Sequence, residues 1–186
     1  LRYLLSANMP EFADTDFTWK EFVRRNNDEL IANWGNLANR VLTFTYRNFD
    51  QRVPTPGELN QADRAIIEKS EAAFVTVGDA LGRVRFKEAI GVAMDVAREA
   101  NQYLQITEPW KTIKQDRARA ATSLYVALRV IDNLKTLFYP FLPFSSNELH
   151  RQLGYNGNLL GEVKIETFQE TTRSHTAAVY HPGKHS

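Results

Sequence analysis

The sequence contains no cysteine among its 186 residues. This absence excludes a disulfide framework and any metal site built from thiolates, and it favours a reducing compartment, here the cytoplasm. Sequons of the form Asn-X-Ser/Thr are also missing, so nothing in the sequence indicates secretion. No apolar run approaches the roughly 20 residues that a membrane-spanning helix needs. We therefore expect no membrane partner.

The chain also has a small net charge and few histidines. A formal net charge of +1 provides no global basic field for non-specific DNA binding, so we expect no DNA partner. The histidines are His150, His175, His181 and His185. Their spacing is not that of metal ligands, and Gly78 and Gly82 do not form a phosphate-binding loop. We expect no metal, no cofactor and no catalysis from this chain alone.

Helical spacing dominates what the sequence does contain. Apolar side chains recur at steps of three and four, which predicts an amphipathic helix wherever the pattern continues. The predicted helices cover about 18–49, 60–81, 84–106 and 117–139. Thr18 with Glu21 forms a plausible capping box at the first helix, and Asn60 is a good N-cap for the second. Trp19 and Trp34 fit the apolar spacing of the first helix and are expected to anchor the core.

The two ends of the chain are less regular. The apolar turn Phe141–Phe144 is expected to plug the end of the bundle, and Ser145-Ser146 to cap a short helix that stops at Gly154. The first five residues carry no initiator Met and no cap, so we interpret the chain as a fragment. The predicted fold is all-α: a connecting helix and loop over 1–16, an antiparallel helical bundle over 17–154 and an extended tail over 155–186.

A polar stripe follows the first long helix. It consists of Asn33, Asn36, Arg40, Thr43 and Arg47, at steps of three and four that place them on one helix face. A polar stripe of this kind is most often a solvent-exposed helix face without a binding function. Asparagine is disfavoured inside helices, however, and three of them within seven positions indicate that their amides are used.

A tryptophan beside basic residues forms the second candidate feature. Trp110 follows a helix-stopping proline in the segment Glu108-Pro109-Trp110-Lys111. The basic residues that cluster around it are Lys111, Lys114, Arg117 and Arg119. An exposed indole stacks on unpaired bases, and neighbouring cations neutralise phosphates. Packing of Trp110 against the core is the equally weighted alternative.

Several segments resemble the anticodon-binding domain of methionyl-tRNA synthetase. They are Asp16-Phe17-Thr18-Trp19, Asn36-Leu37-Ala38-Asn39-Arg40, Ala100-Asn101-Gln102-Tyr103-Leu104, Glu108-Pro109-Trp110-Lys111, Phe141-Leu142-Pro143-Phe144 and Leu153-Gly154. The resemblance covers residues 1 to about 154, and the Pro-Trp-Lys setting is its most diagnostic part. It implies a bundle of the class I synthetase type.

The resemblance also implies a function for the two features. Asn36, Arg40 and Trp110 would contact a CAU anticodon of methionine tRNA, and Asn33 joins them as a candidate. Phosphate contacts are assigned to Arg47, Lys111, Lys114 and Arg117. The family's His-Ile-Gly-His and Lys-Met-Ser-Lys-Ser signatures are absent, so ATP and methionine would be used by a missing catalytic domain.

Two alternatives remain open from the sequence. The chain is either the anticodon domain of another class I synthetase, or a helical-bundle interaction module without any RNA role. In the second case Trp110 and Asn36 merely pack.

Overall fold

The computed structural model describes residues 2–8 and 18–160 completely, and the backbone of 162–169 and 174–181. Within this part the helical elements are α1 (Arg2–Ala7), α2 (Trp19–Arg24), a π-helical segment (Arg25–Gly35), α3 (Asn36–Asn48), α4 (Gln61–Gly82), α5 (Phe86–Thr107), α6 (Pro109–Thr112), α7 (Arg117–Leu137) and α8 (Pro143–Gln152). The predicted helical bundle is confirmed. None of these helices combines the length and apolar character that a bilayer span requires.

Contacts at their ends fix the directions of the long helices. Tyr103 near the end of α5 and Arg119 near the start of α7 both reach Asp63 in the first turn of α4. Arg117, the first residue of α7, donates to the backbone oxygen of Asn48, the last residue of α3. Helices α3 and α5 therefore run in one direction, and α4 and α7 run in the other.

Helix α7 forms the centre of the core. Its least exposed branched apolar side chains are Leu124, Val126, Val130, Ile131 and Leu134. These positions occupy more than one helical stripe, because α3, α4 and α5 all pack against α7. Each fully buried side chain of this size contributes about 1.5–3 kcal/mol of transfer free energy. Burial of these side chains therefore contributes a large part of the free energy that holds the bundle together.

The predicted first helix changes its hydrogen-bonding pattern along its length. Thr18 caps it as predicted, because its side chain accepts from the Glu21 N–H at 3.2 Å. From Arg25 to Gly35 the helix is of the π type, and the Asn36 N–H reaches the Ile31 carbonyl five residues earlier. A π turn holds more residues than an α turn. Residues three or four positions apart therefore do not share one helix face in this segment.

Three local expectations were wrong. Trp19 is 73% exposed and lies edge-on to Phe22, so only Trp34, at 6%, is a core anchor. Phe144 is 86% exposed, so the bundle end is plugged by Phe141, with Leu142 partly buried against the core. Helix α8 begins at Pro143 without a side-chain cap, since proline presets the helical φ at the first position.

The described part of the C-terminal tail is extended, as expected, but it is also paired. Strands β1 (Glu162–Gln169) and β2 (Ser174–His181) form an antiparallel hairpin in which Glu162 pairs with His181. The alternation of apolar residues around Val163 and Ile165 indicates extended backbone, whereas the pairing partner follows only from the fold. The predicted loop over 10–16 lies outside the described residues.

Candidate functional site

A strained turn presents Trp110. Glu108 ends α5 in the left-handed conformation, with φ 38° and ψ 57°, and its carbonyl accepts from the N–H groups of Lys111 and Thr112. This conformation costs a non-glycine residue about 1–2 kcal/mol. Pro109 then starts the short helix α6, because its fixed φ suits the first helical position. The turn leads out of the axis of α5 and carries the indole with it.

Arg40 lies directly over Trp110. The guanidinium carbon of Arg40 is 4.7 Å from the ring centroid, a cation–π distance. Trp110 is half-buried and packs against the core, whereas Arg40 and Asn36, one turn earlier on α3, are exposed. The structure therefore brings the polar stripe and the tryptophan segment together. The indole is neither sealed inside the bundle nor isolated from the stripe.

Asn33 faces α5. Its side-chain oxygen accepts from the Asn101 amide at 2.8 Å, and its own amide nitrogen lies 3.8 Å from the sulfur of Met94. The π segment accounts for this orientation, because it rotates Asn33 out of register with the exposed side chains of Asn36 and Arg40. The predicted single face is therefore not formed. An RNA contact by Asn33 stays a prediction, and it would require the amide to leave Asn101.

Arg117 and Arg47 lie where α3 ends. The Arg117 guanidinium donates to the backbone oxygen of Asn48 at 2.5 Å and lies 4.7 Å from the Phe49 ring centroid. Arg47 is exposed in the last turn of α3. Arg117 thus stabilises the C-terminal end of α3 while it keeps an exposed positive charge. Both residues extend the positive charge of this helix beyond Arg40.

Lys111 and Lys114 follow the indole on the other side. The Lys111 ammonium pairs with the Glu108 carboxylate at 2.7 Å, an exposed contact between neighbours on the same turn. Lys114 is exposed in the connection to α7. Exposed pairs of this kind contribute little to stability. Both ammonium groups therefore remain accessible to an anionic ligand at little cost.

A buried ionic network, which no local sequence pattern indicates, lies next to the turn. The Asp63 carboxylate is 0% exposed and accepts two hydrogen bonds from Arg119, each 2.6 Å long, and one from Tyr103, also of 2.6 Å. Arg119, predicted to add to the basic cluster, has its charge neutralised here. Asp63 had only the sequence signature of a residue in the first turn of a helix.

Protonation of this network follows from its contacts. Burial alone would raise the pKa of Asp63. The Arg119 guanidinium, the Tyr103 hydroxyl and the Asn60 backbone N–H outweigh burial and hold that pKa below its usual value. Burial and the neighbouring carboxylate raise the pKa of Tyr103. The carboxylate is therefore ionised and the phenol neutral at physiological pH.

The described residues have no grouping typical of a metal centre. Among residues 2–8 and 18–160, no three or more His, Asp or Glu side chains are placed to hold a metal ion together. What this surface does offer is an aromatic face, a guanidinium, an exposed amide and accessible ammonium groups. Such groups suit stacking on bases, hydrogen bonding to their edges and phosphate contacts.

Comparison with known proteins matches two family models. The model described as "Anticodon binding domain of methionyl tRNA ligase" matches residues 53–179. The model described as "tRNA synthetases class I (M)" matches residues 1–42. Asn36 and Arg40 fall in the second match and Trp110 in the first, so their contact joins the two. The match to residue 179 extends past the resemblance predicted to end near residue 154.

Individual relatives agree with the family models. The chain is 54% identical over 170 residues to a methionine–tRNA ligase of Chloroflexus aurantiacus, covering 91% of the chain and 28% of that relative. It is 55% identical over 159 residues to the ligase of Dehalococcoides mccartyi, covering 86% of the chain and 29% of that relative. The chain thus spans less than a third of the length of these relatives.

Solved structures give the same result. The methionyl-tRNA synthetase of Mycobacterium tuberculosis in complex with methionyl-adenylate is 30% identical, with a TM-score of 0.77 over 80% of the chain and 30% of that structure. A free-state structure of that synthetase, also 30% identical, has a TM-score of 0.80 over 83% of the chain and 32% of that structure.

Proposed function

Because the chain belongs to the family of anticodon-binding domains of methionyl-tRNA ligases, we propose that it binds the anticodon loop of a methionine tRNA through Asn36, Arg40 and Trp110. One observation carries the proposal: the Arg40 guanidinium lies 4.7 Å from the centre of the Trp110 ring. This contact assembles two segments that are distant in sequence into one surface.

The wider activity belongs to a parent enzyme. We infer that the parent is a cytoplasmic, ATP-dependent methionine–tRNA ligase whose catalytic domain joins methionine to the tRNA. The bundle over 17–154 would bind the anticodon, with residues 1–16 as the connection to the catalytic domain and 155–186 as a tail. Binding at the bundle then places the acceptor end of the tRNA at the catalytic centre.

Base discrimination follows from the donors on this surface. Cytosine presents an acceptor at N3 and an amino group at N4, whereas uracil presents a donor at N3 and an acceptor at O4. The Arg40 guanidinium has only donors, so it suits cytosine N3 and opposes the uracil N3–H. The Asn36 carbonyl suits the cytosine amino group in the same way. Opposed donors and opposed acceptors of this kind discriminate against uracil, which supports recognition of the cytosine of a CAU triplet.

Trp110 supplies affinity that tolerates the identity of the base. A base that stacks on the indole face occupied by Arg40 displaces a cation–π contact worth about 0.5–1 kcal/mol at an exposed site. Stacking of one base on an aromatic side chain contributes about 1–3 kcal/mol. The exchange therefore favours binding, and it releases the guanidinium to donate to the edge of a base.

A titration with RNA stem-loops tests this function. The chain is titrated with CAU and altered anticodon stem-loops, and Trp110→Ala is compared with Trp19→Ala, a matched change at a 73% exposed tryptophan outside the site. We expect Trp110→Ala to weaken binding about 5- to 150-fold, from the ~1–3 kcal/mol of one stacked base. Trp19→Ala should bind like the unaltered chain.

The outcome separates recognition from packing. Because Trp110 is half-buried, thermal melts accompany the titration, and Trp110→Phe preserves an aromatic ring in the same place. Loss of stability in Trp110→Ala with RNA binding intact would support the interaction module instead. Equal affinity for CAU and all altered loops would contradict anticodon recognition.

A further inference from the structure

A closed ring of hydrogen bonds surrounds the turn that carries Trp110. In order around the ring its members are Asp63, Tyr103, Thr107, Thr112, Asp116 and Arg119. In the first half, the Tyr103 hydroxyl donates to Asp63 at 2.6 Å, and the Tyr103 carbonyl accepts from the Thr107 hydroxyl at 2.9 Å. The Thr107 carbonyl in turn accepts from the Thr112 hydroxyl at 2.8 Å.

The second half of the ring returns through the start of α7. The Thr112 carbonyl accepts from the Asp116 N–H at 2.8 Å, and the Asp116 carboxylate accepts from the Arg119 N–H at 2.9 Å. The Arg119 guanidinium then closes the ring with two hydrogen bonds of 2.6 Å to Asp63. The ring thus joins α4, α5, α6 and α7 at one end of the bundle.

The side chain of Thr112 connects the two ends of the turn. The Thr112 hydroxyl bridges from α6 back to the last residue of α5, and the strained Glu108 and Trp110 lie between its two ends. A left-handed non-glycine residue persists only where surrounding contacts impose it. The anchor of the ring is a fully buried carboxylate whose loss would leave Arg119 half-buried and unpaired. The ring is therefore placed to hold this turn in one conformation.

We propose that the ring positions Trp110 for base stacking, with Asp63 and Thr112 as positioning residues that themselves do not contact RNA. The inference rests on the proposed function, since it assigns the ring to the anticodon site. When the ring is broken, the turn gains alternative conformations and the indole no longer stays in register with Arg40. Affinity for CAU and discrimination against altered loops then fall together.

Fluorine NMR tests the positioning separately from RNA binding. The chain holds three tryptophans, so labelling with 5-fluorotryptophan gives three signals, and Trp110→Phe assigns the signal of position 110. Thr112→Val removes the bridging hydroxyl at nearly constant volume, and Thr112→Ser restores it. We expect the Val variant to shift or broaden the Trp110 signal and to leave the other two tryptophan signals unchanged. The Ser variant should resemble the unaltered chain.

Asp63→Asn tests the buried anchor of the ring. Its matched control is Ser70→Ala, which breaks another hydrogen bond between α4 and α7, the part-buried one that Asn133 donates to Ser70. We expect Asp63→Asn to perturb Trp110 and to weaken CAU binding at least tenfold, while Ser70→Ala does neither. If Asp63→Asn fails to fold, the two Thr112 variants decide the question.

The possible results distinguish the positioning role of the ring from the proposed anticodon binding. An unchanged Trp110 signal in Thr112→Val, or a changed signal with CAU binding and discrimination intact, would overturn the positioning role. If Trp110→Ala binds every stem-loop like the unaltered chain, the proposed anticodon site fails. Normal binding by Thr112→Val together with weak binding by Trp110→Ala would reject only the ring.

Discussion

Replacement of Arg40 by glutamine separates base recognition from simple charge attraction. Arg40 is exposed, and its contact among the described side chains is with the Trp110 ring at 4.7 Å. Glutamine removes the positive charge and leaves an amide with both a donor and an acceptor. It also uncovers the face of the indole. The substitution therefore changes which base edge is complementary and leaves the stacking surface in place.

The structure sets the expected magnitudes. An exposed cation–π contact is worth about 0.5–1 kcal/mol, so Arg40→Gln should lower the free energy of unfolding by no more than about 1 kcal/mol. A hydrogen bond to a charged group contributes about 1.5–3 kcal/mol, which predicts CAU binding weaker by about 10- to 150-fold. The glutamine carbonyl accepts from the uracil N3–H, so affinity for a UAU loop should stay constant or rise.

The assay compares CAU and UAU stem-loops at fixed salt. Arg129→Gln is the matched control, because Arg129 is an exposed arginine on α7 that pairs with Glu71 on α4. We expect the ratio of the two affinities to fall at least tenfold in Arg40→Gln alone. Equal weakening for every loop would make Arg40 a phosphate contact. An unchanged affinity for both loops would remove Arg40 from the site.

Three further predictions follow from named contacts. Alanine at both Lys111 and Lys114 should reduce the salt slope of RNA binding by about 1.4, from about 0.7 per phosphate on a single strand; an unaltered slope would exclude both as phosphate contacts. Gly35→Ala should destabilise the chain by about 1–3 kcal/mol, because the new Cβ would lie 3.0 Å from the Leu30 carbonyl oxygen. Gly78→Ala, with nothing within 4 Å, should stabilise by about 0.5–1 kcal/mol, and the reverse order in thermal melts would contradict this packing. Because the folded pKa of Asp63 lies below its unfolded value of about 3.9, its ionisation stabilises the fold above that pH and is lost as pH falls through the folded pKa. The difference in melting temperature between the unaltered chain and Asp63→Asn should therefore stay constant above about pH 5 and shrink as the pH falls below about 3.9, and a difference that stays constant through that acid range would contradict the linkage.

The helices were predictable because their signals are local. Asn60 caps α4 and Pro109 follows the end of α5, both as predicted from neighbouring residues, and Asp63 completes a capping box with Asn60 that was not predicted. The π segment was not predictable, since its sequence keeps ordinary apolar spacing while the backbone bonds shift by one residue. The exposure of Trp19 was missed for a related reason. Spacing places a side chain on a helix face but does not say where along the helix the core ends.

The site was predictable only where one segment carries a distinctive residue pattern. Trp110 beside proline and lysine, and Arg40 on an asparagine-rich helix, were recognisable as separate segments. The bond between Asp63 and Arg119 spans 56 positions, and nothing local in either neighbourhood distinguishes them from solvated charges. Such pairs form because burial makes an unpaired carboxylate costly. They are therefore determined by the assembled fold.

The departure of Asn33 from the predicted face has a structural consequence for the site. Asn101 on α5 donates to both the side-chain and backbone oxygens of Asn33, so the π segment is attached to α5 before α3 begins. Further along, α3 contacts the turn that follows α5, where Arg40 covers Trp110 on α6. The helix that contains Asn33 and Arg40 is thus held at two points, by Asn101 on α5 and by Trp110 on α6. An RNA contact by the Asn33 amide, which stays a prediction, would therefore have to break the attachment of the π segment to α5.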